Sequence, residues 1–331
     1  MAEIVLGICT SHSPLLTFDA GTWRERAEDD KRNPELTLSD GRSVSYDELL
    51  LERGPRYAEE AGIASLEAQA AKTGPALDRL AAEVRAARPD VVLIVGDDQE
   101  ELYKAGNTPA LAIYYGDEVV MRPLGELVSQ PPSWMEQAIG GYAMETTNRF
   151  PGAPDFALRL VEGLMDAGVD LGVASSVNDP RKAAFGHAFG FVARRLLDEG
   201  KVPVVPILLN TYYPPNVIRP GRCYLIGELM RQVVEAMPDS LRVAVVASGG
   251  LSHFVTDEAL DLQVLEALKQ HDRDALGAVP MEALRAGSSE ILCWIMAGGA
   301  FSHLRYSWSE YMPVYRTEAG TGIGLGFGVW K

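Results

Sequence analysis

The sequence predicts an α/β fold built as one large domain. Continuous apolar runs at residues 91–95 and 243–247 end in glycine and polar residues, which is typical of parallel strands buried on both faces. A long stretch at 64–87 has apolar residues at helical spacing, as expected for an amphipathic helix between such strands. Because no repeat or linker divides the 331 residues, we expect a single domain over 1–331.

Composition excludes several classes of function. The chain is 47% apolar and 23% charged, as in ordinary globular proteins. Its formal net charge of −16, with no basic run, argues against a nucleic-acid partner. The longest apolar runs are too short to cross a membrane, and the first residues lack the basic start of a signal peptide. We therefore expect a cytoplasmic protein whose three cysteines (Cys9, Cys223 and Cys293) are reduced core residues.

The first part of the chain places polar residues at two strand ends. The strand at residues 4–8 runs into a Thr-Ser-His-Ser-Pro sequence that contains His12. Residues 18–60, approximately, are polar and charged with little apparent core, which predicts an insertion or lid over a site. The strand at 91–95 ends in acidic and amide residues at 96–101, a cluster that burial would penalise unless it bound something.

The remaining elements follow from the same patterns. Strands are predicted at 111–115, 171–174 and 202–209, and helices at 156–167, from 185, at 223–237, at 257–276 and at 289–296. Residues 123–151 are predicted to be irregular, and the final third to be helical as far as the tail. Glycine alternates with other residues at 320–328 without the register of a dinucleotide-binding loop, so we predict a terminal strand there.

Three of the five histidines, namely His12, His187 and His253, follow strand-end or turn motifs. Glu290 is the one acid at the head of an apolar helical stretch, where it is either a partner of the helix dipole or a buried ligand. Imidazoles with a carboxylate are typical of non-haem Fe(II) sites, and zinc uses the same ligands. The residue types therefore predict a metal site and leave the metal open.

The order of these motifs resembles the LigB-type (class III) extradiol ring-cleavage dioxygenases, the family of protocatechuate 4,5-dioxygenase β subunits. Residues 10–14 resemble the first iron-histidine motif, and 248–253 resemble the Gly-Gly-x-Ser-His motif of the catalytic histidine. Residues 210–215 with 222–224 resemble the segment between them, and Glu290 with 294–296 resembles the iron-glutamate helix. The segment at 18–60 and the Asp-Asp-Gln sequence resemble the branch around 3-O-methylgallate dioxygenase.

The resemblance implies a central mixed sheet flanked by helices and a homodimer. It implies extradiol cleavage of a catechol-type aromatic acid, of the protocatechuate, gallate or methoxygallate class, with O2 at Fe(II). His12 and Glu290 would bind the iron, His253 would serve as acid–base catalyst, and His187 would donate a hydrogen bond to the substrate or to superoxide. The implied substrate-binding residues are Asn210, Thr211, Tyr212 and Ser252.

One departure from the family pattern leaves alternatives open. The family's second iron histidine is replaced by Gln99, whose amide oxygen is a poorer Fe(II) ligand than imidazole. Either Gln99 or Asp98 completes the site, or His12 and Glu290 hold the metal with water. Alternatively, the scaffold is a hydrolase or decarboxylase with zinc or no metal, or a non-catalytic subunit that needs a partner chain. A substrate carboxylate would need a cation, either Arg222 or one from the insertion.

Overall fold

The computed structural model describes residues 1–197 and 201–331. The strands are β1 (Glu3–Thr10), β2 (Leu36–Thr37), β3 (Ser43–Val44), β4 (Val91–Asp97), β5 (Leu111–Tyr114), β6 (Glu118–Val120), β7 (Arg149–Pro151), β8 (Gly172–Ala174), β9 (Val204–Leu209), β10 (Arg242–Ser248), β11 (His253–Val255), β12 (Tyr306–Tyr315) and β13 (Thr321–Trp330). The helices are α1 (Ala20–Arg32), α2 (Tyr46–Arg53), α3 (Ile63–Ala87), α4 (Leu124–Leu127), α5 (Ser133–Gly141), α6 (Pro154–Asp166), α7 (His187–Leu196), α8 (Pro220–Ala236), α9 (Glu258–Gln270), α10 (Arg273–Gly277) and α11 (Ile291–Ala300). Two short 3-10 helices cover Pro14–Thr17 and Ala286–Glu290.

A large mixed sheet forms the centre of the fold. Across the residues described, it has nine strands in the order β11-β13-β1-β10-β4-β9-β5-β8, with β12 paired to β13. Strands β1, β10, β4 and β9 are parallel, whereas β13 is antiparallel to β1 and β5 is antiparallel to β9. The predicted α/β domain with a mixed sheet flanked by helices is therefore confirmed.

Helices cover both faces of this sheet. Successive side chains of β4 point to opposite faces, so that Leu93 and Val95 pack in one apolar cluster and Val92 and Ile94 pack in the other. Helices α6, α8, α9 and α11 contribute to the first cluster, and α3, α5 and α7 to the second. Because both faces are covered, the central strands need continuous apolar runs rather than alternating ones.

The three cysteines are core residues, as predicted. Cys9, Cys223 and Cys293 are unpaired and fully buried in the first apolar cluster. Within the described residues, no helix combines the length and apolar character that crossing a bilayer requires.

The glycine-rich tail is a strand, as predicted, but the segment before it is wrongly predicted as helical. β12 pairs with β13 along most of its length. Its sequence carries four aromatic residues and one valine, which favour a strand. Pro313 is tolerated because β12 pairs on one side only. A Cβ atom at Gly324 would lie 1.9 Å from Asp261 Oδ2, which shows why this strand needs glycine where it packs against α9. The region 123–151, predicted to be irregular, contains α4, α5 and β7.

The segment at 18–60 supplies more core than its composition indicates. Trp23, Leu36 and Leu49 are 0% exposed, so the expectation of little core is wrong. These side chains are few and are separated by charged residues, which hides them in the sequence pattern. A role as a cover over the site stays a proposal for this segment.

A buried ion pair ties the segment to the rest of the domain. Arg316 donates from Nε to Asp30 Oδ2 (2.7 Å) and from Nη2 to Oδ1 (3.0 Å), and the Thr321 hydroxyl donates to the same carboxylate (2.9 Å). Asp30 lies on α1, whereas Arg316 and Thr321 flank the turn between β12 and β13. The side chains of the ion pair are 3% and 6% exposed, so removal of either charge leaves the other buried without compensation.

We expect Asp30→Ala to lower the free energy of unfolding by about 3–5 kcal/mol, because it leaves the Arg316 guanidinium buried and unpaired. Urea unfolding of the variant beside the parent protein measures the change. Asp239→Ala is the control, since its ion pair with Arg159 is exposed and should contribute roughly 0–1 kcal/mol. Equal losses in the two variants would contradict a structural role for the buried pair.

Candidate active site

The candidate site lies at the carboxyl edge of the sheet, where ligands bind in open α/β folds. His12 follows β1, Asp97 is the last residue of β4, and His253 follows the turn after β10. Glu290 immediately precedes α11, and His187 is the first residue of α7. Since β1, β10 and β4 are adjacent parallel strands, their carboxyl ends bring these side chains together.

His12, Asp97, His187 and Glu290 form a cluster that can hold a metal ion. One ligand atom from each lies within 4.8 Å of the others. His12 Nε2 is 3.2 Å from Glu290 Oε2 and 3.8 Å from Asp97 Oδ1. Both His12 Nε2 and Asp97 Oδ1 are buried without a hydrogen-bond partner. Buried polar atoms in proteins are normally paired, so these two orphaned atoms fit a cation between them.

The orientation of His12 is fixed by Ser248. The Ser248 hydroxyl donates its only proton to the carbonyl of Ala188 (2.6 Å), so its oxygen accepts from Nδ1–H of His12 at 3.0 Å. This tautomer leaves the lone pair on Nε2, which faces the two carboxylates. An outer partner that fixes the ring in this way is characteristic of metal-binding histidines.

The two carboxylates also favour a cation. Glu290 accepts from the Tyr212 hydroxyl (3.0 Å) and from Gly250 N–H (2.5 Å). Burial alone would raise the pKa of Glu290, but His253 and His12 outweigh it and hold the pKa well below its ordinary value. Burial and then the neighbouring Glu290 raise the pKa of Asp97. A divalent metal would remove this cost of a second buried carboxylate, and the mixed nitrogen and oxygen donors suit Fe(II) or Zn(II).

The sequence analysis missed Asp97 as a candidate ligand. Its only signal was its position as the first of the acids at the end of a buried apolar run. The predicted ligand Gln99 lies beside it and lines the cavity, with its Nε2 donating to Asp97 Oδ2 at 2.9 Å. Asp98 accepts the backbone N–H groups of Leu102 (2.8 Å) and Tyr103 (3.0 Å), so its carboxylate caps the following loop. Iron binding through the Gln99 amide oxygen stays a prediction.

His253 is held as a neutral imidazole with one free nitrogen. Its Nδ1–H donates to the carbonyl of Leu251 at 2.8 Å, and its Nε2 lies 3.8 Å from Glu290 Oε2. Burial lowers the pKa of His253. A Cβ atom at Gly250 would lie 1.9 Å from this ring, and one at Gly287 would lie 2.4 Å from the same side chain. The two glycines therefore leave the space that the His253 ring occupies, and close packing there fixes the position of its free Nε2.

His187 pairs with a buried carboxylate. Glu101 Oε1 accepts from the backbone N–H of His187 (3.2 Å) and from its Nδ1–H (3.0 Å). Burial lowers the pKa of His187, but Glu101, Asp97 and Glu290 outweigh it and raise the pKa to about 10. Its ring centroid is 4.6 Å from that of His12. This arrangement favours a charged imidazole that donates a hydrogen bond into the cavity.

The four predicted substrate-binding residues are not equally placed. Among the described residues that line the cavity, Tyr212 is present, whereas Asn210, Thr211 and Ser252 are not. Asn210 donates to the carbonyls of Tyr213 (2.8 Å) and Asn216 (2.9 Å). Thr211 borders a neighbouring cleft that Tyr212 also lines. We propose that Asn210 shapes its loop, and direct substrate contact of Asn210 and Thr211 stays a prediction.

Ser252 is part of a buried hydrogen-bond network next to His253. Its hydroxyl donates to Asp261 Oδ2 at 2.7 Å, and Tyr311 donates to the same oxygen at 2.7 Å. Burial raises the pKa of Asp261 to about 7. We propose that Ser252 positions the turn that carries His253, and its contact with substrate stays a prediction.

The cavity itself has a volume of about 350 Å³. Away from the metal-binding cluster, the lining is largely apolar. These apolar lining residues are Leu15, Leu124, Trp134, Met135, Ala138, Ile139, Met144 and Phe254. Arg26 and Arg316 are also in the lining, whereas Arg222 donates to the carbonyl of Gly168 elsewhere on the molecule. An apolar slot of this volume beside a few polar groups suits a small ligand with one ring.

The sequence is similar to those of known ring-opening dioxygenases. Residues 62–326 match the family described as the catalytic LigB subunit of aromatic ring-opening dioxygenase, a region that excludes His12. The chain is 29% identical over 124 residues to a gallate dioxygenase of Pseudomonas putida, covering 34% of this chain and 36% of that protein. It is 31% identical over 103 residues to a 2,3-dihydroxyphenylpropionate/2,3-dihydroxicinnamic acid 1,2-dioxygenase of Comamonas testosteroni, covering 30% of each. The aligned region therefore spans about a third of the length of these curated relatives.

Proposed function

Because this chain belongs to the LigB family of aromatic ring-opening dioxygenases, we propose that it opens the ring of a catechol-type aromatic acid at an extradiol position with Fe(II) and O2. The proposed substrates are acids of the protocatechuate, gallate or methoxygallate class. The two relatives described above are named as dioxygenases of gallate and of dihydroxyphenyl acids, which supports this class. From the family resemblance we also propose a homodimer in the cytoplasm.

The observation that carries the proposal is the pair of orphaned buried atoms, His12 Nε2 and Asp97 Oδ1, beside an apolar cavity. His12, Asp97 and Glu290 would hold the metal, with Gln99 at its edge. Bound Fe(II) would supply the one-electron chemistry that allows an aromatic ring to react with O2. A non-redox zinc site would instead favour hydrolysis, so iron is the part of the proposal that most needs a test.

His253 moves the protons in the proposed reaction. Its Nδ1–H is held by the carbonyl of Leu251, so the free Nε2 can accept a proton from a substrate hydroxyl. The imidazolium formed can return that proton at a later step. Burial lowers the pKa of His253, which keeps the ring unprotonated and ready to act as the base near neutral pH.

His187 and Tyr212 orient the reacting groups. Glu101 accepts from Nδ1–H of His187 and raises the pKa of the ring, so the charged ring keeps a second N–H on Nε2 that can donate to a substrate oxygen in the same cavity. The Tyr212 hydroxyl donates to Glu290 and fixes the direction of that carboxylate. Burial raises the pKa of Tyr212 well above its ordinary value, so this phenol stays a donor. The apolar lining would hold the ring and exclude water.

We expect the protein, loaded with Fe(II) without O2 and then exposed to air, to consume one O2 for each protocatechuate or gallate. The product should be yellow, as expected for a ring-opened conjugated acid. An oxygen electrode and an absorbance scan measure both quantities on the single chain, which also tests whether a partner subunit is needed. Zinc-loaded protein is the control and should consume no O2. No uptake with any catechol at full iron occupancy would contradict the proposed function.

A further inference from the structure

We propose that Arg26 and Trp134 form the subsite for a carboxylate group on the substrate. This inference rests on the proposed function and adds the residue that selects acids over neutral catechols. Both side chains line the same cavity as His187, His253 and Glu290. The subsite comes from α1, inside the segment at 18–60, and from α5, which the sequence analysis took as part of an irregular region.

The sequence places Arg26 on the inner face of α1. Trp23 and Asp30 are three residues before and four residues after it, and these spacings share one face of a helix. Both neighbours are buried (0% and 3% exposed), so their face is turned to the protein and carries Arg26 toward the cavity. The Glu25 carboxylate accepts from the Ser133 hydroxyl at 2.9 Å, which ties α1 to the start of α5.

Trp134 holds the guanidinium in place without neutralising it. The central carbon of the Arg26 guanidinium lies 4.5 Å from the centroid of the Trp134 ring. Stacking on an aromatic face leaves the N–H groups at the edge of the guanidinium available, and a planar fork of this kind matches a carboxylate. Trp134 also adds apolar surface for the substrate ring.

The other arginine in the cavity lining is already paired. Arg316 uses Nε and Nη2 in the buried double hydrogen bond to Asp30. Arg26, by contrast, makes one hydrogen bond within residues 1–197 and 201–331, from Nη1 to Asp29 at 2.7 Å. Asp29 is 42% exposed, and surface ion pairs of this kind contribute little. Both arginines keep N–H groups for an incoming anion, but the charge of Arg316 is already compensated by a buried carboxylate. Arg26 is therefore the cation whose charge is available to a substrate anion.

A positive group is needed here because the carboxylates of the site already have their own partners. Glu101 and Glu290 line the cavity, and Asp97 accepts from Gln99. A divalent metal would offset Glu290 and Asp97, and His187 pairs with Glu101, so no positive charge is left over for a substrate anion. Arg26 supplies that charge and fixes which end of the ring enters first.

The test compares a charged and an uncharged ligand of the same shape. We expect the parent protein, equilibrated with Fe(II) in the absence of O2, to bind 3-hydroxybenzoate more tightly than 3-hydroxybenzamide by roughly tenfold or more. Arg26→Gln should reduce this preference to about onefold, because it removes the charge. Arg24→Gln, which removes the same charge from an exposed position of the same helix, should keep it. Calorimetric titration measures the six affinities, two ligands for each of the three proteins.

The outcomes separate this inference from the proposed function. If the preference for the acid depends on Arg26 but no ring is opened, the subsite stands and the dioxygenase proposal fails. If rings are opened while Arg26→Gln and Arg24→Gln keep equal preference for the acid, the subsite is wrong. If Arg26→Gln weakens the binding of both ligands equally, the inference is also overturned. Arg26 would then hold α1 against α5 and would not bind the carboxylate.

Discussion

Replacement of His253 by alanine is expected to lower kcat by roughly 10²–10⁴-fold while leaving Fe(II) bound. The hydrogen bond from Nδ1–H of His253 to the carbonyl of Leu251 fixes the ring and leaves its Nε2 free to accept a proton. This Nε2 is 3.8 Å from Glu290 Oε2, and His253 is not one of the four described residues whose ligand atoms lie within 4.8 Å of one another, whereas His12 is. We therefore assign proton transfer to His253 and metal binding to His12. Single-turnover ring opening, measured together with iron content, tests the two roles separately.

His271→Ala is the matched control for this experiment. His271 caps the end of α9, and its Nε2 lies 2.7 Å from the carbonyl of Leu304, away from the cavity lining. Its replacement should leave both iron content and kcat near those of the parent protein. If His253→Ala instead loses iron in proportion to activity, His253 is a ligand and the proposed division of roles is wrong.

The sequence predicted the central sheet well because the strands that form it are buried on both faces. Residues 91–95 and 243–247 had to be continuously apolar, and such runs are read directly from the chain. His12, His253 and Glu290 were found for a related reason, since a polar residue at the end of an apolar run is conspicuous. Their convergence then follows from the pairing of β1, β10 and β4.

The features that were missed depend on contacts between distant segments. Arg26 is one of several charged residues on α1, and only the packing of that helix distinguishes it from Arg24. β12 is stabilised by pairing with β13, which local sequence does not reveal. Consecutive residues of a strand point to opposite faces of the sheet. The sequence does not show which of these faces the site, so the pattern could not separate Asp97 from Asp98. The structure separates them by their partners.

The arrangement of those partners predicts a large effect at Asp97. We expect Asp97→Asn to weaken Fe(II) binding by roughly 100-fold or more, beyond the 10–100-fold that loss of an outer partner usually causes. The substitution keeps the shape but removes the charge that faces His12 Nε2 at 3.8 Å. Asp98→Asn is the matched control: its carboxylate accepts from Leu102 and Tyr103, so iron affinity should be unchanged. Anaerobic iron titrations of both variants beside the parent protein measure the difference.

Gln99 occupies the sequence position of the family's second iron histidine. Its Nε2 donates to Asp97 Oδ2 at 2.9 Å, which leaves the amide oxygen free to face the metal or the substrate. Gln99→Ala should weaken Fe(II) binding by roughly 10–100-fold, since it removes a partner of Asp97 even if the amide oxygen is not a ligand. Gln99→His should tighten binding only if the side chain reaches the metal, because imidazole is the stronger donor. Tighter binding in Gln99→His would support a ligand role, and weaker binding in both variants would assign Gln99 to orienting Asp97. Affinities equal to that of the parent protein would remove Gln99 from the metal site and leave His12, Asp97 and Glu290 as its ligands.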